Sequence, residues 1–313
     1  MAVIVLVHGI GQQQESADTL EAAWLPALAG GVRAAGFTDV ADDLWRSRRP
    51  GGTDIRMAFF GDLFRQAGAQ GGGGPGVGSL DLSDEGLVVA EKLAREWLDR
   101  VRERATSEAE RDRAAIELVD LEGGAAQAQG GMSLARSAIA SLARMRYFAR
   151  FGMAFAERTV RRDLRQVTQY LTDDSLRASV LARVQAVLGP DTRMVVGHSL
   201  GSVVAYEAVH RHAHPMALLV TMGSPLGLRT VVLDRVRPPA RYPSQVARWV
   251  NVADRDDVVA AAPDLSSLFP GVPPSCRFDG GYTVDNGAEP HSARFYLTSR
   301  EVGRAIGETL AAA

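Results

Sequence analysis

Apolar residues along this chain fall into two alternating patterns. The first is a set of short continuous runs, at 2–7, Asp54–Phe60, Met194–Val196, Ala217–Thr221 and Arg248–Val252. Such runs predict strands buried on both faces of a parallel sheet. Cys276–Phe278 and Tyr282–Val284 read as two further short strands. The second pattern repeats at helical spacing. Leu20, Trp24, Leu25 and Leu28 predict a helix over 18–33, which Pro26 is expected to kink or divide. Leu176, Val180, Val184, Val187 and Leu188 predict another, ended by Gly189-Pro190. Val203, Val204, Ala205 and Ala208 mark a third, and a final helix falls near 299–312. Strands alternating with helices predict an α/β fold with a mostly parallel central sheet.

The alternation breaks between 62 and 172. Gly71–Gly78 reads as a loop that cannot pack a core. A charged helix is expected from Ser83 to about Arg113, with Leu93, Trp97 and Val101 inward. Gly123-Gly124 and Gly130-Gly131 bracket a polar loop, and a second helical stretch runs from Ser133 to about Tyr170. Its buried stripe is Val160, Leu164, Val167 and Leu171. The expectation is a single domain over 1–313 carrying a helical insertion, 62–172, that acts as a cap or lid with glycine hinges.

Composition narrows the function classes. The 313 residues can bury a large core, and the 46% apolar share is ordinary for a globular protein. A net charge of -2 gives no electrostatic case for nucleic acid. A lone cysteine, Cys276, excludes an internal disulfide and a cysteine-based metal site. The apolar start at Met1–Val7 lacks a basic flank, so a strand is expected there rather than a signal peptide. No stretch is long and apolar enough to span a membrane, and a soluble cytoplasmic protein is the expectation. Between 132 and 165, eight arginines stand against Glu157 and Asp163. That segment either packs on the acidic stretch 84–122 or contacts an anionic membrane surface, and charge runs favour the first.

The candidate chemistry centres on Gly197-His198-Ser199-Leu200-Gly201. It joins a strand to a helix and fits the G-x-S-x-G nucleophile elbow. A serine at the apex of a strained turn needs neighbours without bulk, which the glycines supply. The turn sets the Leu200 amide at a helix start, where negative charge is favoured. The first strand ends in His8-Gly9-Ile10-Gly11, at the sheet edge where ligands bind in α/β folds. The Ile10 amide there is expected to be a second oxyanion donor. Ala253-Asp254-Arg255-Asp256-Asp257-Val258-Val259 places three carboxylates past a later strand. Asp257 is the preferred triad acid because apolar residues follow it, with Asp254 second. His291, in Glu289-Pro290-His291-Ser292, is the one histidine downstream of that acid. His198, Gly223 and Ser224 are expected at the substrate pocket. His210, His212 and His214 alternate as metal ligands can, but fall at a helix end where cations suit the dipole.

With the elbow, His8–Gly11, Asp257 and His291 in chain order, the sequence resembles the α/β-hydrolase superfamily, and most of all its serine esterases and lipases. Asp256-Asp257-Val258-Val259 is similar to the acid turn of fungal-type lipases, and Thr221–Pro225 to a strand end near their pocket. The resemblance covers 1–62 and about 175–313. It implies a three-layer fold lacking the usual first strands, with fewer than eight strands in its sheet. It also implies acyl transfer to water through Ser199, His291 and Asp257, with no metal or organic cofactor and an ester, often lipid-like, as substrate. A thioesterase, amidase or peptidase on the same scaffold fits the same residues. So does a binding module that has kept the fold.

Overall fold

The computed structural model describes residues 3–45, 52–65, 82–105, 107–127, 140–142, 153–260 and 262–312. The Gly71–Gly78 and Gly130-Gly131 loops lie outside the described residues, as does much of the basic stretch 132–165. The chain divides into two compact units, 1–63 with 178–313, and 64–177.

The first unit is built on six strands: β1 Ile4–Val7, β2 Ile55–Ala58, β3 Met194–His198, β4 Met216–Met222, β5 Val246–Asp254 and β6 Arg277–Val284. They lie in the order β2-β1-β3-β4-β5-β6, every neighbouring pair parallel. The two short strands expected at 276–284 are one strand. A register shift opposite Val250 and Val252 lets it stay paired with β5 through Gly280-Gly281.

The period-two pattern explains the layers. Ile4 and Leu6 of β1, Met194 and Val196 of β3, and Leu218 and Val220 of β4 share one sheet face. They pack against α1 Ala17–Ala34 and the C-terminal helices. A fully buried aliphatic side chain of this kind contributes about 1.5–3 kcal/mol. Pro26 does not divide α1, which runs unbroken from its Ser16 capping box to Ala34. A second helix, α2 Thr38–Trp45, leads toward β2.

Connectivity from β1 to β2 runs one way, and from β3 onward the other. The order therefore reverses between β1 and β3, where α/β sheets open a crevice at their carboxyl ends.

The second unit is helical. α3 Asp84–Arg104 starts at Ser83, whose Oγ accepts the Gly86 N–H at 3.2 Å. Leu93, Trp97 and Val101 are buried along it. The expected helix to Arg113 is interrupted at Ala105, and α4 Glu108–Gln127 begins anew. Gly123 and Gly124 lie within α4 rather than in a loop. Packing of α4 along α3 offsets the roughly 1 kcal/mol that each glycine costs a helix. α5 Met153–Thr172 buries Val160, Leu164, Val167 and Leu171 and packs against α3. The described ion pairs of α3 run along the helix itself, as in Arg95–Glu91 and Arg102–Asp99.

The remaining helices are α6 Asp174–Gln185, α7 Leu200–His210, α8 Ala293–Thr298 and α9 Arg300–Ala311. No helix among the described residues is long and apolar enough to cross a membrane.

Candidate active site

Ser199 stands between β3 and α7 with φ 54° and ψ -133°. It is the one non-glycine residue with positive φ among the described residues. That conformation costs on the order of 1–3 kcal/mol and persists only where its surroundings enforce it. Its neighbours do so. A Cβ on Gly197 would lie 2.7 Å from the Gly201 carbonyl oxygen, and one on Gly201 would collide with the carbonyls of Val7 and His8. The elbow glycines are thus required by helix-to-strand approach. Ser199 also occupies the N-cap position of α7 without capping it. Its hydroxyl faces His291 instead.

His291 Nε2 is 2.9 Å from Ser199 Oγ, and His291 Nδ1 is 2.7 Å from Asp257 Oδ2. Serine, histidine and the preferred acid are therefore brought together in one hydrogen-bonded line. Asp257 is fully buried. Four donors compensate its removal from water. The amides of Val259 and Ala260 donate to Oδ1 at 2.9 and 3.3 Å, while the Tyr296 hydroxyl and the His291 Nδ1–H share Oδ2.

Asp254, the second choice of acid, does not reach His291. Its carboxylate accepts the backbone N–H groups of Asp256 and Asn286, tying the acid turn to the loop before His291. Burial pushes its pKa above the usual carboxylate value. Tyr296 joins the two acids: its hydroxyl accepts the Asp254 N–H and donates to Asp257 Oδ2, each at 2.8 Å.

Ile10 and Leu200, the residues expected to donate to an oxyanion, follow β1 and β3, the two strands at the switch point. Leu200 opens α7, where the first amides have no intrahelical partner. Neither the Ile10 nor the Leu200 amide donates to a partner among the described residues. Gly9 presses against Ser199: a Cβ there would lie 2.8 Å from Ser199 Cβ. His8 fixes this turn. It accepts the Phe60 N–H on Nε2 at 3.1 Å and donates from Nδ1 to the Gly9 carbonyl at 2.7 Å. Its ring stacks on Phe60 at 4.0 Å, and burial lowers its pKa to about 4. His8 is therefore neutral near pH 7, and its two bonds define the tautomer.

The three residues expected at the pocket wall, His198, Gly223 and Ser224, are packed around the elbow and the histidine. His198 is buried, with its ring 4.7 Å from the His291 ring. Its Nε2–H donates to the His291 carbonyl at 3.1 Å, and burial holds its pKa well below the ordinary value. Gly223 has φ 53°, and a Cβ on it would fall 2.9 Å from Asp257 Oδ2. Ser224 is buried and bonds to Ser202.

His210 closes α7, but it is not the cation a helix end would favour. Burial, with the Arg241 charge second, lowers its pKa to about 4. Among the described residues no group of three or more His, Cys, Asp or Glu side chains is placed to hold a metal ion. Asp62 belongs to the short helical turn Gly61–Phe64 and pairs with Arg183 at 3.1 Å. A cavity of about 590 Å³, lined by Thr283, Asn286, Phe295 and Arg300 among others, contains none of the triad residues.

Tyr296 and Ser202 carry no motif that marks them. Ser202 had a faint signal, a serine three residues into a helix start, where hydroxyls reach backbone carbonyls. Comparison with protein-family models, with curated proteins and with solved structures finds no match to this chain.

Proposed function

We propose that the protein is a serine hydrolase of carboxylic esters, on a small α/β-hydrolase sheet with Ser199 as nucleophile. The observation that carries this reading is the continuous line Ser199 Oγ, His291 Nε2, His291 Nδ1 and Asp257 Oδ2, with spacings of 2.9 and 2.7 Å at its two hydrogen bonds. Nucleophile, base and orienting acid at hydrogen-bond reach are the signature of an activated serine. The strained Ser199 backbone supports it, since such strain persists where function requires it.

The chemistry follows from the geometry. Ser199 Oγ bonds to the ester carbonyl carbon as its proton passes to His291 Nε2. The carbonyl oxygen gains the electron pair and faces the Ile10 and Leu200 amides, each such donor being worth about 3–4 kcal/mol. Collapse breaks the bond to the alkoxy oxygen, which leaves with the proton from His291. Water then attacks the acyl carbon, giving its proton to His291; collapse breaks the bond to Ser199 Oγ, which takes the proton back from His291 Nε2, and the carboxylic acid is released. Asp257 stays ionised throughout, holding the Nδ1–H tautomer and stabilising the imidazolium.

The test is hydrolysis of p-nitrophenyl acetate, butyrate, octanoate and palmitate by wild type and Ser199→Ala side by side, with fluorophosphonate labelling of both. Serine-dependent turnover and labelling at Ser199 support the reading. Folded wild type that neither labels nor turns over any ester refutes it.

A further inference from the structure

Ser199 and Leu200 share one peptide group, so whatever holds the Ser199 carbonyl also aims the Leu200 N–H. Two donors hold that carbonyl, and both come from Ser202. Its backbone N–H lies at 2.9 Å and its Oγ at 2.6 Å. Ser202 Oγ is also 2.6 Å from Ser224 Oγ, which accepts the Leu226 N–H at 3.2 Å.

A hydroxyl has one hydrogen, and a carbonyl has none to give. The Ser202 hydrogen therefore goes to the Ser199 carbonyl, and the Ser224 hydrogen closes the gap to Ser202 Oγ. The result is a directed relay running from Ser224, through Ser202, to the Ser199 carbonyl. Both side chains are buried, at 0% and 2% exposure, so water cannot substitute for either.

We propose that Ser202 and Ser224 are positioning residues: their hydroxyl relay locks the Ser199–Leu200 peptide plane and so points the Leu200 N–H at the oxyanion. This rests on the reading of Ser199 as nucleophile. The pair touches neither His291 nor Asp257 by any hydrogen bond described above, so its action runs through the peptide plane. A purely structural pair behaves differently. Removing the two hydroxyls strips the Leu226 N–H of its acceptor and the Ser199 carbonyl of one donor, so a purely structural pair would lower stability and leave kcat unmoved.

The experiment compares wild type, Ser202→Ala, Ser224→Ala and the double variant on p-nitrophenyl butyrate, with butylboronic acid as a tetrahedral inhibitor. Complete removal of an oxyanion donor costs roughly 100- to 1,000-fold in kcat, so a loosened donor in Ser202→Ala is expected to cost about tenfold. KM stays within about twofold, because the ground-state ester gains little from the oxyanion hole. The boronic acid weakens in step with kcat/KM. Ser224→Ala loses less, since Ser202 still donates to the carbonyl. The double variant matches Ser202→Ala, because Ser224 acts only through Ser202.

The inference is overturned by an undiminished kcat in Ser202→Ala, by losses confined to KM, or by additive losses in the double variant. Should Ser202→Ala not fold, Ser224→Ala carries the test alone through the same kcat-against-KM split. Wild type without Ser199-dependent turnover removes the hydrolase reading and this inference with it. An active wild type with unimpaired variants removes only this inference.

Discussion

The Tyr296 hydroxyl donates to Asp257 Oδ2 at 2.8 Å, on the same oxygen that receives the His291 Nδ1–H at 2.7 Å. Two donors thus compete for one acceptor. Tyr296 is fully buried, and its hydroxyl is pinned from behind by the Asp254 N–H. Its pKa is driven upward by burial first and by the Asp257 charge second, so it remains a donor at any working pH.

Tyr296→Phe tests the consequence. Removing a donor makes the Asp257 carboxylate a stronger base, which favours the imidazolium form of His291. The acid limb of kcat/KM against pH is then expected to move to higher pH. The lost hydrogen bond to a charged group also costs about 1.5–3 kcal/mol of stability. A variant that is merely less stable, with an unmoved acid limb, would show that Tyr296 only packs.

The two acids predict opposite outcomes. Asp257→Asn loses the carboxylate that fixes the histidine tautomer, and kcat is expected to fall about 1,000- to 10,000-fold with little change in KM. In Asp254→Asn one acceptor oxygen remains where Oδ1 and Oδ2 had served the Asp256 and Asn286 amides separately, so one amide loses its partner; less than about tenfold in rate is expected, with a stability loss of about 1–3 kcal/mol. A larger kcat loss in Asp254→Asn than in Asp257→Asn would reassign the acid.

How much of this was readable from sequence depends on how local each signal is. The strands at Ile4–Val7 and Met194–His198 and the elbow glycines show as runs and spacings of a few residues, and those follow from backbone sterics. The choice of Asp257 over Asp254 also had a local basis, the apolar Val258-Val259 that turns the chain inward. Pro26 misled because the helix around it is held by packing against the sheet, which outweighs a local breaker. Gly123-Gly124 misled because α4 is held by packing along α3, which outweighs two poor helix formers. Tyr296 was not legible at all. Its partners Asp254 and Asp257 lie 42 and 39 positions away, and no spacing rule links them.

Gly9 offers a separable probe of the oxyanion turn. An added Cβ would sit 2.8 Å from Ser199 Cβ and 3.3 Å from Ser199 Oγ. Gly9→Ala is therefore expected to displace the nucleophile or the Ile10 amide and to lower kcat by about 100-fold or more, the size of one lost donor. The added Cβ also lies 3.2 Å from the His198 carbonyl oxygen, so a loss of stability short of unfolding is expected beside the kinetic loss. Gly201→Ala meets the carbonyls of Val7 and His8, which are backbone, and is expected to unfold the protein. Thermal melts beside kinetics on p-nitrophenyl butyrate separate the cases, and an active Gly9→Ala would move the oxyanion site elsewhere.

His8 ties stability to pH. Its pKa falls from 6.5 in the unfolded chain to about 4 in the fold, with burial outweighing the Gly9 carbonyl and the Asp62 charge. Between those values the unfolded chain binds a proton that the folded chain does not. Stability is therefore fully present above pH 6.5 and declines as pH falls toward 4, with no further loss from this group below that. Each pH unit is worth 1.36 kcal/mol per proton, so the whole span contributes about 3 kcal/mol. His8→Gln removes the titration and keeps an amide N–H for the Gly9 carbonyl. Urea unfolding of both proteins at pH 7, 6, 5 and 4 is expected to show their stability gap shrinking by about 3 kcal/mol toward pH 4. His198 and His210, also held neutral by burial, remain in both proteins and cancel in that difference. Parallel curves across the range would mean that His8 takes up its proton as readily in the fold as in the unfolded chain, and that its Nε2 does not hold the Phe60 amide.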